Sequence, residues 1–394
     1  MMNKNEWKKV KLGDIFDLQM GKTPSRNNRN YWENGTNNWI SISDIKENEK
    51  YIEKTKEKIT DIAIQESKIK CIPKNTVIMS FKLSVGKVAI TSKDIYTNEA
   101  VVAFLPKNLN IIDNNYLYYF LPKINWSKGI NKAVKGLTLN KPLISNKVIS
   151  FPDLQTQKQI AEKLDLLSYI LNLKKKQLFE LEKLVKFQFL KMFGDPILNE
   201  KNWKVEKLKE NILEMFLGPF GSSLKVESYV PKDKSFCMVY EQKHAIKKSI
   251  NLENHYINNV KYNELKRFEV KPLDFIMSCR GTIGEIFQLP ENAHIGIIHP
   301  SLMKIRINNL KYNYTFFEKI LSFYIKKEIT TGSGVKMAIT AKELGKKEFI
   351  IPPIELQNKF AEFVKQVDKS KVELQKSIDE TQLLFDSLMD RYFG

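Results

Sequence analysis

Two stretches of the chain, Thr156 to Phe193 and Gln357 to Phe393, carry apolar residues at alternating spacings of three and four. This spacing places the apolar side chains on one face of a helix and is typical of a coiled-coil seam. We therefore predict two long helices that bury these seams. The seam positions are Ile160, Leu164, Leu167, Leu171, Leu178, Leu181, Val185 and Met192 in the first stretch, and Phe360, Val364, Val367, Leu374, Ile378, Phe385, Leu388 and Tyr392 in the second. Polar residues interrupt the seams at Lys174, Gln188, Lys371 and Thr381.

The second stretch repeats the first at a constant offset, and the flanking residues repeat with it. Gln157 and Gln357 occupy matching places near the start of each stretch, and Phe-Gly closes each stretch at Phe193 and Phe393. Self-similarity over such a length predicts two halves, each a globular segment followed by a long helix. The predicted boundaries are 1–150 and 194–350 for the globular domains, and 151–193 and 351–394 for the helical segments.

Matching patterns also recur inside the two globular segments. An apolar run, a polar turn and a second apolar run predict a hairpin of buried strands at Val77 to Val88 and again at Phe275 to Ile286. Each segment opens on a Trp followed by a short strand and a helical turn. Each also carries an aromatic-rich helix, at Tyr116 to Leu121 and at Tyr314 to Ile325. The sequence therefore predicts an α+β fold for both segments.

The net charge of the chain indicates what kind of partner it binds. The chain of 394 residues has a net charge of +19, from 64 Lys and Arg against 45 Asp and Glu. Nearly all of the excess lies in the segments 1–150 and 194–350, because the two helical segments together are close to neutral. A concentrated positive charge indicates a polyanionic partner, and nucleic acid is the favoured one. We expect the globular segments to bind it.

Cysteine content and hydropathy indicate the cellular compartment of the protein. Cys71, Cys237 and Cys279 form no CxxC pair and are odd in number, so neither a zinc site nor a disulfide framework is indicated. Met1 to Lys11 is charged, and no uncharged run approaches the length of a membrane span. We therefore expect a cytoplasmic protein that does not insert into a membrane.

Candidate catalytic groups are few. Asp233, Glu241 and Lys243 imitate the carboxylate and lysine pattern of metal-dependent nucleases, but such a match arises by chance in a chain this charged. The four histidines show no metal-binding spacing, and we expect them in the core or on the surface. The main alternative is a base or phosphate contact by His244. We therefore expect no catalytic residue and no metal site in this chain.

Glycine-rich turns occur at Gly21 to Ser25 and at Gly218 to Ser223. They are turn signals first, with direct contact to ligand phosphates as the alternative. The chain contains no P-loop and no amino-methyltransferase box. Because the scaffold is repeated and no catalytic set is repeated with it, the pattern favours binding over turnover.

These motifs, in this order and twice over, resemble the specificity (S) subunit of Type I restriction-modification systems. The resemblance covers the whole chain. It rests on the repeated WxxVxLGDI-like openings, on the hairpins at Gly86 and Gly284, on the PxLxxQ-like helix entries at Pro152 and Pro353, and on the FGDP motif at Phe193.

The resemblance implies an α+β target-recognition domain in each half, separated by two long antiparallel coiled-coil helices with a pseudo-two-fold internal repeat. Each domain would read one half of a bipartite site on double-stranded DNA. The family's subunit has no catalytic activity and no cofactor of its own. It recruits two modification subunits, which bind S-adenosylmethionine and methylate adenine, and restriction and translocase subunits, which use ATP and Mg.

Basic residues beside turns are the candidates for phosphate contacts, because they can reach a duplex without burying charge. These are Lys22, Arg26, Arg29, Lys82, Lys87, Lys225, Lys243 and Arg280. The candidates for base contacts are Ser43, Ser84, Arg280, Thr282 and Gln242, the last through pairing of its amide with adenine.

Two alternatives to a DNA-recognition subunit stay open at the level of sequence. One is a self-associating coiled-coil scaffold that binds acidic protein partners. The other is a nuclease built around Glu241. Metal-dependent cleavage by the isolated chain would favour the nuclease.

Overall fold

The structure is a computed structural model that describes residues 7–46, 49–126, 139–330 and 339–394. The chain divides into two compact units. Unit 1 comprises Met1–Lys176 and Gln375–Gly394, and unit 2 comprises Gln177–Leu374. Each unit contains one globular segment and parts of both long helices.

Unit 1 contains a five-stranded sheet, a three-stranded sheet and a separate strand pair. Its elements are β1 Lys8–Lys11, α1 Leu12–Ile15, β2 Phe16–Met20, β3 Asn37–Ile40, β4 Tyr51–Ile52, β5 Glu57–Ile59, α2 Asp61–Ser67, β6 Val77–Ser80, β7 Val88–Thr91, β8 Tyr96–Thr97, β9 Val101–Pro106, α3 Asn114–Phe120, α4 Lys141–Ser145, β10 Val148–Phe151 and the first part of α5 Leu154–Phe193. The strand orders are β2-β9-β6-β7-β4, β5-β3-β8 and β1-β10.

Strand β6 explains how the core of unit 1 is built. Successive side chains of a strand point to opposite faces of its sheet. Val77 and Met79 pack on one face in the cluster that includes α3 and α5, whereas Ile78 packs on the other face with Ala89 and Val101. Both faces are buried, which is why this strand is an unbroken apolar run. The predicted first hairpin is confirmed as β6 and β7.

Unit 2 contains two four-stranded sheets and a separate strand pair. Its elements are β11 Val205–Lys207, β12 Ile212–Leu217, β13 Cys237–Tyr240, α6 Gln242–Lys247, β14 His255–Ile257, α7 Asn259–Leu265, β15 Glu269–Val270, β16 Phe275–Ser278, β17 Ile286–Gln288, β18 Gly296–Ile298, β19 Leu302–Ile307, α8 Tyr314–Thr330, α9 Ala341–Gly345, β20 Glu348–Ile350 and part of α10 Ile354–Phe393. The strand orders are β12-β19-β16-β17, β14-β13-β18-β15 and β11-β20.

Strand β16 has the same role in unit 2 that β6 has in unit 1. Phe275 and Met277 face the cluster formed with α8 and the long helices, and Ile276 faces the cluster that contains Met238 and Ile298. Strands β16 and β17 pair antiparallel, which confirms the second predicted hairpin. The predicted aromatic-rich helices are confirmed as α3 and α8.

In unit 1 the segments of α5 and α10 bury the predicted seam. Ile160 and Leu164 of α5 lie in one core cluster with Met389 and Tyr392 of α10. Residues early in α5 thus meet residues late in α10, so the two segments run antiparallel. This agrees with the predicted orientation of the two helices.

Two of the predicted polar seam positions contact each other in unit 1. The Lys174 ammonium donates to the hydroxyl of Thr381 at 2.7 Å, to the hydroxyl of Ser377 at 2.7 Å and to the Ser377 carbonyl at 3.1 Å. All three N–H groups of this lysine therefore have an oxygen acceptor without any carboxylate. We call this set the Lys174 cluster.

In unit 2 the end of α5 departs from the predicted seam. Phe189 and Phe193 are buried and contact Phe360 of α10 with ring centroids 5.5 Å and 5.6 Å apart. The prediction that Gln188 occupies a seam position was wrong. Phe189, four residues after Val185, and Phe193, four residues later, fill this part of the core instead. Aromatic stacking overrides the regular alternation of three and four here.

Both long helices begin earlier than predicted, at Leu154 and Ile354. For α5 the reason is an N-terminal cap, because the Asp153 carboxylate accepts the Thr156 N–H at 2.9 Å. For α10 the Pro353 carbonyl accepts the N–H of Gln357 at 3.2 Å, so the helix already includes the residues before Gln357.

A buried glutamine anchors the start of each long helix to its own globular segment. In unit 1, the Gln157 side chain accepts the Asp113 N–H at 2.9 Å and donates to the carbonyls of Ile111 at 3.1 Å and Pro152 at 2.9 Å. Gln357 makes the matching bonds in unit 2. Its partners are the Asn313 N–H at 2.9 Å and the carbonyls of Lys311 at 3.0 Å and Pro352 at 2.8 Å.

We expect Gln157→Ala to destabilise unit 1 by about 2–3 kcal/mol, because it leaves one buried and two partly buried backbone groups without this partner. Urea unfolding, followed by hydrogen exchange of peptides from β6 and α3, measures the loss. Gln155→Ala is the matched control, since Gln155 is exposed on the same turn. Equal responses of the two variants would show that the anchor carries no stability.

Candidate nucleic-acid interface

The turn between β6 and β7 carries the predicted residues Lys82, Ser84 and Lys87, and Ser80 holds its shape. The buried Ser80 hydroxyl donates to the Ser84 carbonyl and accepts the Lys87 N–H, while the Gly86 N–H donates to the Ser80 carbonyl at 2.9 Å. These bonds tie both sides of the turn to one residue. The bonds therefore hold the backbone of the turn in one shape, from which the basic and hydroxyl side chains project.

The turn between β16 and β17 is built in the same way around Ser278. The Glu285 N–H donates to the Ser278 hydroxyl at 2.9 Å, and the Gly284 N–H donates to the Ser278 carbonyl at 2.8 Å. Arg280 and Thr282, both exposed, take the places that Lys82 and Ser84 have in the first tip. We call the two turns the hairpin tips.

Gln242 supports the second hairpin tip from outside. Its amide nitrogen donates to the carbonyls of Arg280 at 2.9 Å and Thr282 at 3.1 Å. Bidentate pairing with adenine needs a free amide N–H. The predicted adenine contact by Gln242 therefore does not fit this conformation, because its N–H groups already hold the tip.

Two of the predicted phosphate-contacting cations are paired inside their own units. The Arg26 guanidinium forms two bonds with the Glu57 carboxylate, at 2.5 Å and 3.0 Å, and lies 3.8 Å from the centroid of the Trp32 ring. The hydrogen bond with Glu57 raises the pKa of Arg26 above its ordinary value. Lys243 is paired with Glu241 at 2.8 Å. A phosphate would have to compete with these carboxylates.

The other predicted cations are more available. Arg29 is highly exposed, and its ion-pair partner among the described residues is distant, Glu33 at 3.9 Å. No ion pair to another described residue occurs at Lys22, Lys82, Lys87, Lys225 or Arg280. Ser43 is exposed, and its hydroxyl lies 2.9 Å from that of Ser41.

His244 is a core residue. It is fully buried, its Nδ1 lies 2.8 Å from the Glu241 N–H, and its Nε2 lies 2.7 Å from the Asn254 side-chain oxygen. A base or phosphate contact by His244 is therefore excluded in this fold. The main expectation, a core or surface histidine, is confirmed for this residue.

The nuclease pattern does not assemble into a metal site. Glu241 is held by Lys243 and by His255, whose Nδ1 lies 2.9 Å from the carboxylate. Desolvation raises the pKa of Glu241, but hydrogen bonds from these two residues reverse the effect and leave it below its ordinary value. Within residues 7–46, 49–126, 139–330 and 339–394, no group of His, Cys, Asp and Glu is arranged to hold a metal ion.

The glycines of the two glycine-rich turns have a packing role. A Cβ on Gly21 would lie 2.2 Å from the carbonyl oxygens of Thr97 and Asn98, and a Cβ on Gly218 would lie 2.3 Å from the His299 carbonyl oxygen. Only glycine lets these backbones approach so closely. The turn interpretation of these motifs therefore has a structural reason that needs no phosphate.

The cysteines show no sign of a reactive thiol. Burial raises the pKa of Cys237 to about 11 and that of Cys279 to about 12. Protonated, buried thiols are poor nucleophiles and poor metal ligands. Cys71 is free and exposed.

Among the helices of the described part of the chain, none is long and apolar enough to cross a membrane.

Sequence reasoning missed the supports of the hairpin tips, namely Ser80, Ser278 and Gln242. A signal for the serines was present in the repeat. Each serine ends an apolar strand that occurs in both halves, and each lies six residues before the glycine that closes the turn. Nothing in the sequence reveals the Gln242 contact, since it joins residues far apart along the chain.

Comparison with known proteins places these features in a family. The chain matches the family described as Type I restriction modification DNA specificity domain over residues 4–183 and 226–381. It is 25% identical over 415 residues to the Type I restriction enzyme MjaIX specificity subunit of Methanocaldococcus jannaschii, covering 98% of this chain and 92% of that protein.

Solved structures share the fold. A Type I restriction-modification S subunit from M. genitalium superposes with a TM-score of 0.55 and 16% identity, covering 100% of this chain and 98% of its own. A chain from a type I R-M system, studied for complex assembly and conformational transition, superposes with a TM-score of 0.66 and 16% identity, covering 98% and 97%. The protein thus belongs to the Type I restriction-modification specificity subunits, which are non-catalytic and recognise DNA sequence.

Proposed function

We propose that this subunit reads a bipartite site on double-stranded DNA, with one half-site contacted by each unit. The observation that supports this most directly is the pair of hairpin tips. Each combines a basic residue with an exposed hydroxyl residue, the partly exposed Lys82 with Ser84 and the exposed Arg280 with Thr282. In each turn a serine hydroxyl accepts a backbone N–H from the return strand side, and the serine carbonyl accepts a glycine N–H. Rigid donors of this kind suit base edges and phosphates.

Within this proposal the residues divide by availability. Lys22, Arg29, Lys82, Lys87 and Lys225 contact phosphates, and Ser43, Ser84, Arg280 and Thr282 contact bases. Arg26, Lys243 and Gln242 do not contact DNA directly, because their charged or amide groups already bond within the protein. They hold the basic surfaces in shape.

We propose further that the long helices recruit two modification subunits, and through them restriction and translocase subunits. The support is apolar surface on α5 outside the buried seam. Leu166, Tyr169 and Leu173 are exposed in unit 1, and Leu184 and Phe187 are exposed in unit 2. Spacings of three and four place such residues on one face of a helix, as a partner helix requires. S-adenosylmethionine, ATP and Mg belong to those partners in this proposal.

The acidic-protein scaffold finds no support in the comparisons. Salt titration separates it from DNA recognition. For the complex of this chain with its modification subunits, we expect protection of two separated DNA segments and an affinity that falls steeply with salt, because counterions are released. A single contiguous footprint, or an affinity independent of salt, would contradict the proposal.

We expect Arg280→Ala to weaken binding of the specific duplex by about tenfold to a hundredfold and to relax selectivity at one base of one half-site. Affinity for a set of single-substituted duplexes measures both effects. Arg267→Ala is the matched control, because Arg267 is an exposed arginine of the same unit away from the hairpin tip. Loss of affinity without any change in selectivity would assign Arg280 to a phosphate.

A further inference from the structure

The first hairpin tip carries an exposed leucine, Leu83, at a position that does not favour leucine. Leu83 is 82% exposed, and its backbone has φ of +63°, in the left-handed region. Leucine rarely adopts this conformation, because its Cβ crowds the backbone. In the second hairpin tip the matching residue is Gly281, with φ of +68°. The same turn is thus made with glycine in one unit and with leucine in the other.

Leu83 has no structural role in the tip. The bonds that hold the turn come from Ser80, Ser84, Gly86 and Lys87. The Leu83 side chain belongs to none of the core clusters formed by the described residues. Glycine or asparagine would relieve the backbone and remove apolar surface from water. A side chain kept at such a position points to a function outside the folded chain.

The surroundings of Leu83 indicate which molecule it meets. Lys82 precedes it and Ser84 follows it, and neither Lys82 nor Lys87 has a carboxylate partner among the described residues. An apolar side chain within a positive tip suits a polyanion with an apolar interior. A DNA duplex has this character, since its phosphates lie outside and its stacked bases lie inside.

We propose that Leu83 is a wedge that inserts between neighbouring base pairs of the half-site read by unit 1. Exposed leucines in DNA-bending proteins unstack a base step in this way. This inference rests on the proposed DNA function of the hairpin tips. Its consequence is an asymmetry, because Gly281 offers no wedge to the other half-site. A flexible pyrimidine–purine step is therefore expected under Leu83 and is not required under Gly281.

The test uses the full chain in complex with its modification subunits and a duplex carrying its methylated site. A fluorescent adenine analogue is placed, one position at a time, through both half-sites. With the natural chain we expect increased fluorescence at one step of one half-site, the result of unstacking. Leu83→Asn should abolish the increase and weaken specific binding by about tenfold. Leu83→Met, which keeps an apolar side chain, should retain both.

Folding does not confound these variants. Asparagine tolerates the left-handed region better than leucine, so Leu83→Asn should unfold at the same temperature as the natural chain or higher. Leu109→Asn is the matched control, since Leu109 is a 76% exposed leucine of the same unit outside the tip. The slope of affinity against salt should stay unchanged in Leu83→Asn, because no cation is removed, and should fall in Lys82→Ala.

The outcomes separate the wedge from the DNA function it rests on. If the natural chain binds the bipartite duplex with the expected salt dependence, but Leu83→Asn binds equally well and no position unstacks, the wedge is wrong and DNA recognition stands. If the natural chain does not bind the duplex, both fail. If Leu83→Asn impairs assembly with the modification subunits and leaves DNA affinity intact, Leu83 serves a protein interface and the wedge is overturned.

Discussion

Replacing Asp274 with alanine is expected to destabilise unit 2 by about 3–5 kcal/mol, enough to unfold many domains of this size. The Asp274 carboxylate is 1% exposed and accepts two bonds from the Arg306 guanidinium, at 2.6 Å and 2.7 Å. The Lys304 ammonium, with 3% of its side chain exposed, lies 3.4 Å from the same carboxylate. Removing the carboxylate takes away both short bonds of Arg306 and the acceptor of the Lys271 N–H. Among the described residues it leaves the buried Lys304 ammonium with only Glu214 and the Glu269 carbonyl as hydrogen-bond partners.

Hydrogen exchange of the full chain measures this prediction within one sample. Peptides from β16 and β19 should exchange much faster in Asp274→Ala, whereas peptides from β6 and β9 of unit 1 should keep their rates. Glu264→Ala is the control in the same unit, because the Lys261–Glu264 pair lies on one exposed helix turn and is worth at most about 1 kcal/mol. Matching rates in the two variants would mean that the buried network contributes nothing.

Inserting one heptad into both long helices is expected to move the methylated site to a new sequence. The insertions belong after Lys176 in α5 and after Leu374 in α10, where the two compact units divide. Seven residues lengthen a helix by about 10 Å, which is about three base pairs of DNA. If the helices set the distance between half-sites, the spacer should grow by about three base pairs. Binding of the natural site should drop toward the non-specific level, about a thousandfold or more.

Methylome sequencing of cells that express the lengthened subunit reads out the new spacer directly. The control substitutes seven exposed residues on the two helices without changing their length, and it should leave the site unchanged. A heptad keeps the seam in phase, so folding should survive the insertion. An unchanged spacer in the lengthened subunit would refute the role of the helices in spacing.

The sequence predicted the helices and hairpins because their patterns are strong and occur twice. Heptad spacing located both long helices, and of their bounds only the N-terminal ends needed correction. The error at Gln188 has a physical origin. A seam pattern is a rule for two regular helices, and it fails where Phe189 joins the aromatic core of unit 2 instead.

The chemistry of the site could be predicted only in part. Arg26 has the sequence context of a solvated cation, and its partner Glu57, far away along the chain, becomes visible only in the folded chain. Lys243 lies two residues from Glu241, but only the structure shows that the two side chains form an ion pair. A basic residue beside a turn is therefore a poor guide to a phosphate contact until its partners are known. Lys82 keeps that role as a prediction, because it has no ion pair to a described residue.

The network around Asp274 shows the same limit in the core. Lys304 and Arg306 lie on β19, where a sequence suggests solvent-exposed charges, and Asp274 directly precedes β16. The burial of these side chains is decided by how β16 and β19 pair. The paired strands of unit 1 have Thr76 and Ala103 at the matching places, without any charge. A repeated scaffold therefore does not predict repeated electrostatics.

The Lys174 cluster bears on how the two halves of the chain could be exchanged. Lys174 donates to the Thr381 hydroxyl, and this bond depends on a difference between the two halves. The position in the first half that matches Thr381 is occupied by Leu181. A molecule assembled from two copies of the first half would set the Lys174 ammonium against Leu181, and the ammonium would lose an acceptor. The cluster thus disfavours like-with-like pairing of half-molecules. Recombination that swaps whole globular segments but keeps both helices would preserve this discrimination.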